Sequence, residues 1–186
     1  MTAAALLRSI VTALDSAGVP FMLTGSLAAA YHGAGRATMD IDVVIDPTAS
    51  QLRALVGSLA ASGAYVSAEA AEEALSTRSM FNLVDTTSGW KVDFIVRRDR
   101  AFSVTELTRR QRAEFEGCPL WVAGVEDVIV AKLEWAKLGG SARQLEDVAA
   151  LRQIQAGRLD EAYLERWVAE LGLTAQWEQV IRGGRE

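Results

Sequence analysis

The sequence predicts an α+β fold built in two parts. Over residues 1–123, short apolar runs of strand length alternate with helical stretches. From Gly124 to Glu186 the apolar residues recur at helical spacing alone. This change of pattern separates an α/β domain, residues 1–123, from a helical region, residues 124–186. A chain of 186 residues, half of them apolar, can bury the core that such a plan requires.

Each element has its own reason. MTAAALLRSIVTALDSAGV is amphipathic and predicts a first helix over residues 3–16, closed by Gly18 and Pro20. PFMLT reads as a short buried strand, and SLAAAYHG as a short helix starting at Ser26. MDIDVVID is a strand stopped by Pro47. Thr48 or Ser50 then caps a helix whose apolar stripe is Leu52, Leu55, Val56 and Leu59. AYV is a weak strand, and AEAAEEALSTR is helix or loop. MFNLVDT and WKVDFIV form a hairpin across Thr87, Ser88 and Gly89. A charged run, RRDRAFSVTELTRRQRAEFEG, precedes a last strand in CPLWVAG. Three helices follow, and Tyr163, Leu164, Trp167, Val168 and Leu171 make a helical stripe in the third. Trp135, Trp167 and Trp177 are expected in the core of this region.

Composition removes several function classes. A net charge of −5 gives no global pull toward nucleic acid. The single cysteine, Cys118, excludes an internal disulfide and reads as inert core. Its isolation, and a first helix unlike a signal peptide, suggest a cytoplasmic protein. No apolar run approaches the roughly 20 residues of a membrane span, so no membrane partner is expected. His32 stands alone among histidines, which disfavours histidine-driven hydrolysis. The P-loop, dinucleotide and nucleophile-elbow motifs are absent from the sequence.

Two carboxylates then stand out. Residues two apart on a strand share a face, so Asp40 and Asp42 point together, away from Met39, Ile41, Val43 and Ile45. A half-exposed strand with solvated carboxylates would explain this much. Three features argue for chemistry. Strands are depleted in Asp, whose short side chain competes for backbone hydrogen bonds. A third carboxylate, Asp93, lies in WKVDFIV on the face opposite Val92, Phe94 and Val96. Gly25 and Ser26 sit at a strand-to-helix junction, where unpaired N–H groups suit phosphate. Gathered carboxylates repel unless cations hold them. Mg²⁺ takes oxygen ligands, commonly one or two carboxylates plus substrate phosphates. The combination predicts metal-assisted phosphoryl or nucleotidyl transfer, with two ions about 3.5–4 Å apart.

Gly-Ser, thirteen intervening residues, Asp-Ile-Asp and a lone Asp on a later strand form a fairly specific set. It resembles the nucleotidyltransferase superfamily related to DNA polymerase beta. The fuller phrase LTGSLAAAYHGAGRATMDIDVVI is similar to a small bacterial branch that includes the AbiEii-type toxins. The motifs cover residues 18–97, with weaker echoes to residue 150. The resemblance implies a nucleotidyltransferase-like mixed β-sheet flanked by helices. It implies two Mg²⁺ ions on Asp40, Asp42 and Asp93, with Asp93 also acting as base or base-orienter. Gly25 and Ser26 would hold the triphosphate of an NTP such as ATP. The acceptor hydroxyl could belong to tRNA, a protein or a small molecule, and an antitoxin or other protein could be a partner. A non-catalytic nucleotide-binding or protein-interaction module of the same fold is the alternative. An aminoglycoside-type transferase is a third.

Four further features bear on the site. Arg36 and Thr38 precede Asp40 in GRATMD. Arg36 suits a phosphate or a solvated loop equally, and Thr38 suits a local turn as well as a nucleotide. Lys132 falls within the stripe Val125, Val128, Ile129 and Ala136, where an ammonium needs an anion. A bound nucleotide could supply it, as could a structural Asp or Glu. Arg143 and Asp147 are four apart and suggest a local helix pair. Arg97, Arg98, Arg100, Arg109, Arg110 and Arg112 read as a solvated face rather than an RNA contact.

Overall fold

The computed structural model describes residues 3–86 and 88–183. The chain runs α1 (Ala3–Ser16), β1 (Phe21–Thr24), α2 (Gly25–Tyr31), β2 (Asp40–Ile45), α3 (Ala49–Ala61), β3 (Tyr65–Val66), α4 (Ala68–Thr77) and β4 (Met80–Val84). It continues β5 (Lys91–Val96), α5 (Ala101–Thr108), β6 (Gln111–Phe115), β7 (Cys118–Val122), α6 (Val125–Gly139), α7 (Ala142–Ile154), α8 (Glu161–Glu170) and α9 (Thr174–Gly183). Among the described residues no helix is long and apolar enough to cross a membrane.

The chain forms two compact units. The first takes Met1–Leu27 and Ala37–Ala123, and the second takes Ala28–Arg36 and Gly124–Glu186. The sequence reading drew one cut at residue 123 and kept residues 28–36 with the strands. Those residues group with the helices because Gln155 Nε2 donates to the His32 carbonyl at 2.8 Å and Arg36 pairs with Asp147 at 3.1 Å.

The first unit holds one mixed sheet in the order β3-β4-β5-β2-β1-β7-β6. β1 runs antiparallel to β2 and parallel to β7, and β2 runs parallel to β5. The β3–β4, β4–β5 and β6–β7 pairs are antiparallel. Strands with neighbours on both sides bury their apolar face fully: Ile41, Ile45, Val92, Phe94 and Val96 have no measurable exposure. Met39 does not join that face; it lies before β2 and is exposed. Val44, on the Asp40 side, is buried too, because the end of β2 is covered on both faces.

Local chemistry sets the boundaries. Thr48 caps α3 in a reciprocal box with Gln51, which satisfies two backbone donors at once. AEAAEEALST is helical, capped by Ser67 accepting from the Ala70 N–H. The β4–β5 turn is held by the Gly89 N–H donating to the Asp85 carbonyl and by a bond from Ser88 to the Asp85 carboxylate. The Thr87 position expected in that turn lies outside the described residues.

The charged run is not a plain solvated face. It forms α5 and β6. Arg97 pairs with Asp46 at 2.8 Å and Asp99 at 3.1 Å, and Arg78 reaches the same two carboxylates. The hydrogen bond to Asp46 pushes the Arg97 guanidinium further up from its usual value, against the opposing effect of burial. Arg110 and Arg112 lie over the Trp121 ring, 4.7 and 4.1 Å from its centroid.

In the second unit Trp167 and Trp177 are buried, as expected, whereas Trp135 is 41% exposed. The buried stripe of α6 is Val128, Ile129, Leu133 and Ala136, and Trp135 stands off it. Tyr163 donates to the Asp127 carboxylate, and the Asp160 N–H donates to Glu126, joining α8 to the first turn of α6.

Candidate active site

The sheet register lines up a polar row. Thr24 on β1 faces Asp42 on β2, Asp42 faces Asp93 on β5, and Asp93 faces Asn82 on β4. One step along, Asp40 faces Lys91. Asp40 is exposed, Asp42 half-buried and Asp93 buried. The parallel β2–β5 pairing thus brings the three predicted carboxylates onto one patch of one sheet face.

Asp93 is held from two sides. The Lys91 ammonium lies 2.9 Å from its Oδ1 and 3.0 Å from its Oδ2, and Asn82 Nδ2 donates to Oδ1. The hydrogen bond to Asp93 raises the Lys91 pKa above the usual lysine value, burial opposes it, and the charges of Asp93, Asp40 and Asp42 add to the rise. Among the described residues, no three His, Cys, Asp or Glu side chains converge closely enough to enclose a metal ion.

The Gly25 turn sits against the same carboxylates. Its φ of +63° is in the left-handed region that glycine tolerates best. A Cβ there would stand 1.9 Å from Asp42 Oδ2, so only a glycine leaves this approach open. Ser26 follows and is buried. α2 has seven residues, so its dipole is short and the backbone N–H groups of the turn matter more. Thr38 Oγ1 accepts from the Asp40 N–H at 3.1 Å, the local turn role foreseen for it.

The second unit holds the remaining expected residues. Lys132 is 2% exposed, and its Nζ donates to Asp147 Oδ2 at 2.7 Å and to Gln144 Oε1 at 3.0 Å. Arg36 Nε donates to the same Asp147 oxygen at 3.1 Å. Asp147 thus supplies an anion to Lys132, and Arg36 shares it. Arg143 does not pair with Asp147; among the described residues it forms no ion pair, because Asp147 turns into the unit.

Sequence reasoning missed Lys91, Asn82 and Thr24. The signal for Lys91 was present as the spacing Lys-x-Asp, which places Lys91 and Asp93 on one strand face. Asn82 and Thr24 become visible once the register is known.

No family model matches the chain, and no curated protein matches it significantly in sequence. Solved structures do match. ANT(2″)-Ia, an antibiotic-resistance factor, gives a TM-score of 0.60 at 13% identity, covering 94% of this chain and 96% of that one. In complex with adenylyl-2″-tobramycin it gives 0.59 at 15%, covering 95% and 99%. LnuA, a lincosamide adenylyltransferase with lincomycin bound, gives 0.53 at 14%, covering 83% and 98%. A candidate nucleotidyltransferase from Thermotoga maritima gives 0.54 at 19%, covering 77% and 89%. The chain has the nucleotidyltransferase fold. The nucleotidyltransferase fold predicted from Gly-Ser and Asp-Ile-Asp is thus the one observed. At these identities the likeness concerns the fold.

Proposed function

We propose that the chain is a Mg²⁺-dependent nucleotidyltransferase that moves a nucleoside monophosphate from an NTP to a hydroxyl acceptor. The observation that carries this reading is the facing pair Asp42 and Asp93, with Asp40 beside them and the Gly25 backbone against Asp42. The donors are hard oxygens, and the missing Cβ at Gly25 lets the turn backbone pack directly against the Asp42 carboxylate. Asp40 and Asp42 would hold the ion, and two carboxylates plus phosphate oxygens are a common Mg²⁺ set. Magnesium, when bound, supplies positive charge to the triphosphate and the leaving pyrophosphate. The N–H groups of the Gly25 turn, with Ser26, bind the phosphates. Asp93 orients the acceptor hydroxyl or takes its proton, and Asn82 fixes the carboxylate plane.

On the acceptor side, support comes from the structural neighbours. One is bound to adenylyl-2″-tobramycin and another to lincomycin. We therefore place a small hydroxyl-bearing molecule ahead of RNA or protein. A toxin role rests on the phrase LTGSLAAAYHGAGRATMDIDVVI alone. One observation favours a second reading, a nucleotide-binding module without catalysis: both oxygens of Asp93 are already engaged by Lys91.

A thermal-shift titration with each NTP, with and without Mg²⁺, separates these. A ligand at 100 times its Kd adds about 2.7 kcal/mol of stability. We expect a Mg²⁺-dependent shift in wild type that an Asp40→Asn/Asp42→Asn variant lacks. Transfer of radiolabelled NMP to a hydroxyl acceptor distinguishes enzyme from binding module. The absence of any shift with every NTP would overturn the reading.

A further inference from the structure

We propose that Lys91 is the resident cation of the carboxylate patch and that a divalent metal ion must compete with it. This rests on the function proposed above. Lysine is depleted in strands, and here it opens β5 at a position that borders all three carboxylates. It faces Asp40 directly across the β2–β5 ladder, shares a strand face with Asp93 two residues on, and lies diagonal to Asp42. Its ammonium is within 3.0 Å of both Asp93 oxygens. Three clustered carboxylates are costly without a counter-charge, and Lys91 supplies one within the sheet itself.

The lysine is built to yield. Its side chain is 41% exposed, against 11% for Asp93, so the ammonium stands near solvent on a flexible four-carbon stem. A doubly charged ion entering at Asp40 and Asp42 repels this ammonium at short range. Nζ then swings toward water and the Asp93 oxygens are released. Lys91 is thus a positioning residue. It sets how tightly the metal binds and keeps Asp93 occupied until the metal arrives.

The test is Mn²⁺ or Mg²⁺ binding alone, by calorimetry, on wild type, Lys91→Met, Lys91→Arg and Asp42→Asn, with melting curves for each. Removing the competing charge tightens metal binding about tenfold even at the dielectric of water. We expect Lys91→Met to melt lower than wild type without metal and to recover with metal. Lys91→Arg keeps wild-type affinity. Unchanged or weaker metal binding by a folded Lys91→Met, with loss in Asp42→Asn, overturns the role of Lys91 and leaves the site standing. Binding that survives in Asp42→Asn, or no binding by any protein, overturns the site itself. Lys91→Gln keeps a hydrogen bond to Asp93 without the charge, and replaces Lys91→Met if that variant does not fold. Failure of both to fold with metal present makes Lys91 a structural residue and overturns the proposal.

Discussion

Gly25 and Asp42 are so close that no side chain fits between them. A Cβ on Gly25 would stand 1.9 Å from Asp42 Oδ2 and 2.5 Å from its Cγ. The contact joins the end of β1 to the carboxylate of β2, which it already faces through Thr24. Gly25→Ala should therefore lose about 1–3 kcal/mol from the left-handed backbone alone, and more from the clash. Urea denaturation measures this. The variant should also lose any NTP-dependent shift, and a variant as stable as wild type that still binds NTP contradicts the geometry.

Asp42→Asn removes one charge from the patch and leaves the shape. The variant should keep or gain thermal stability, because repulsion among the carboxylates falls. Metal-dependent NTP binding should disappear. Unfolding of this variant would make Asp42 a structural residue and sink the proposed site.

Asp147 carries two cations in the second unit. Truncating it to Ala removes the carboxylate that the buried Lys132 ammonium shares with Arg36, a loss of about 3–5 kcal/mol. Lys132→Met/Asp147→Leu should recover most of that, since the pair is replaced by apolar volume. Chemical denaturation of the two variants decides it. A single Asp147→Ala that costs under about 1 kcal/mol would mean the pair is not held as the structure shows.

Cys118 is 2% exposed, and burial pushes its thiol pKa up. The folded value lies above the unfolded one, so the contribution is fully present below the unfolded value of about 8.5. It is lost as pH rises through the folded value. Labelling by a disulfide reagent at pH 8 should therefore be slow and should follow unfolding. Rapid labelling of the native protein contradicts the burial.

The legible parts of this protein were local. Period-two alternation in MDIDVVID and WKVDFIV marked the strands and put three carboxylates on defined faces. Thr48 or Ser50 marked a helix start, which the structure gives to Thr48, and Gly25 marked a strand-to-helix turn. The errors fell where neighbours in space decide. Trp135 has helical spacing but stands off the buried stripe of α6, and Arg97 belongs to an ion network rather than to solvent.

By itself the sequence determined the fold, the carboxylate set and the glycine turn, because spacing and backbone preference act over a few residues. The tertiary structure alone decided which cation each carboxylate receives. Strand register sets Lys91 across from Asp40, and helix packing gives Lys132 and Arg36 to Asp147, the latter across 111 residues of chain. Ion pairing depends on distance in space, and for residues far apart in the chain the sequence does not give that distance.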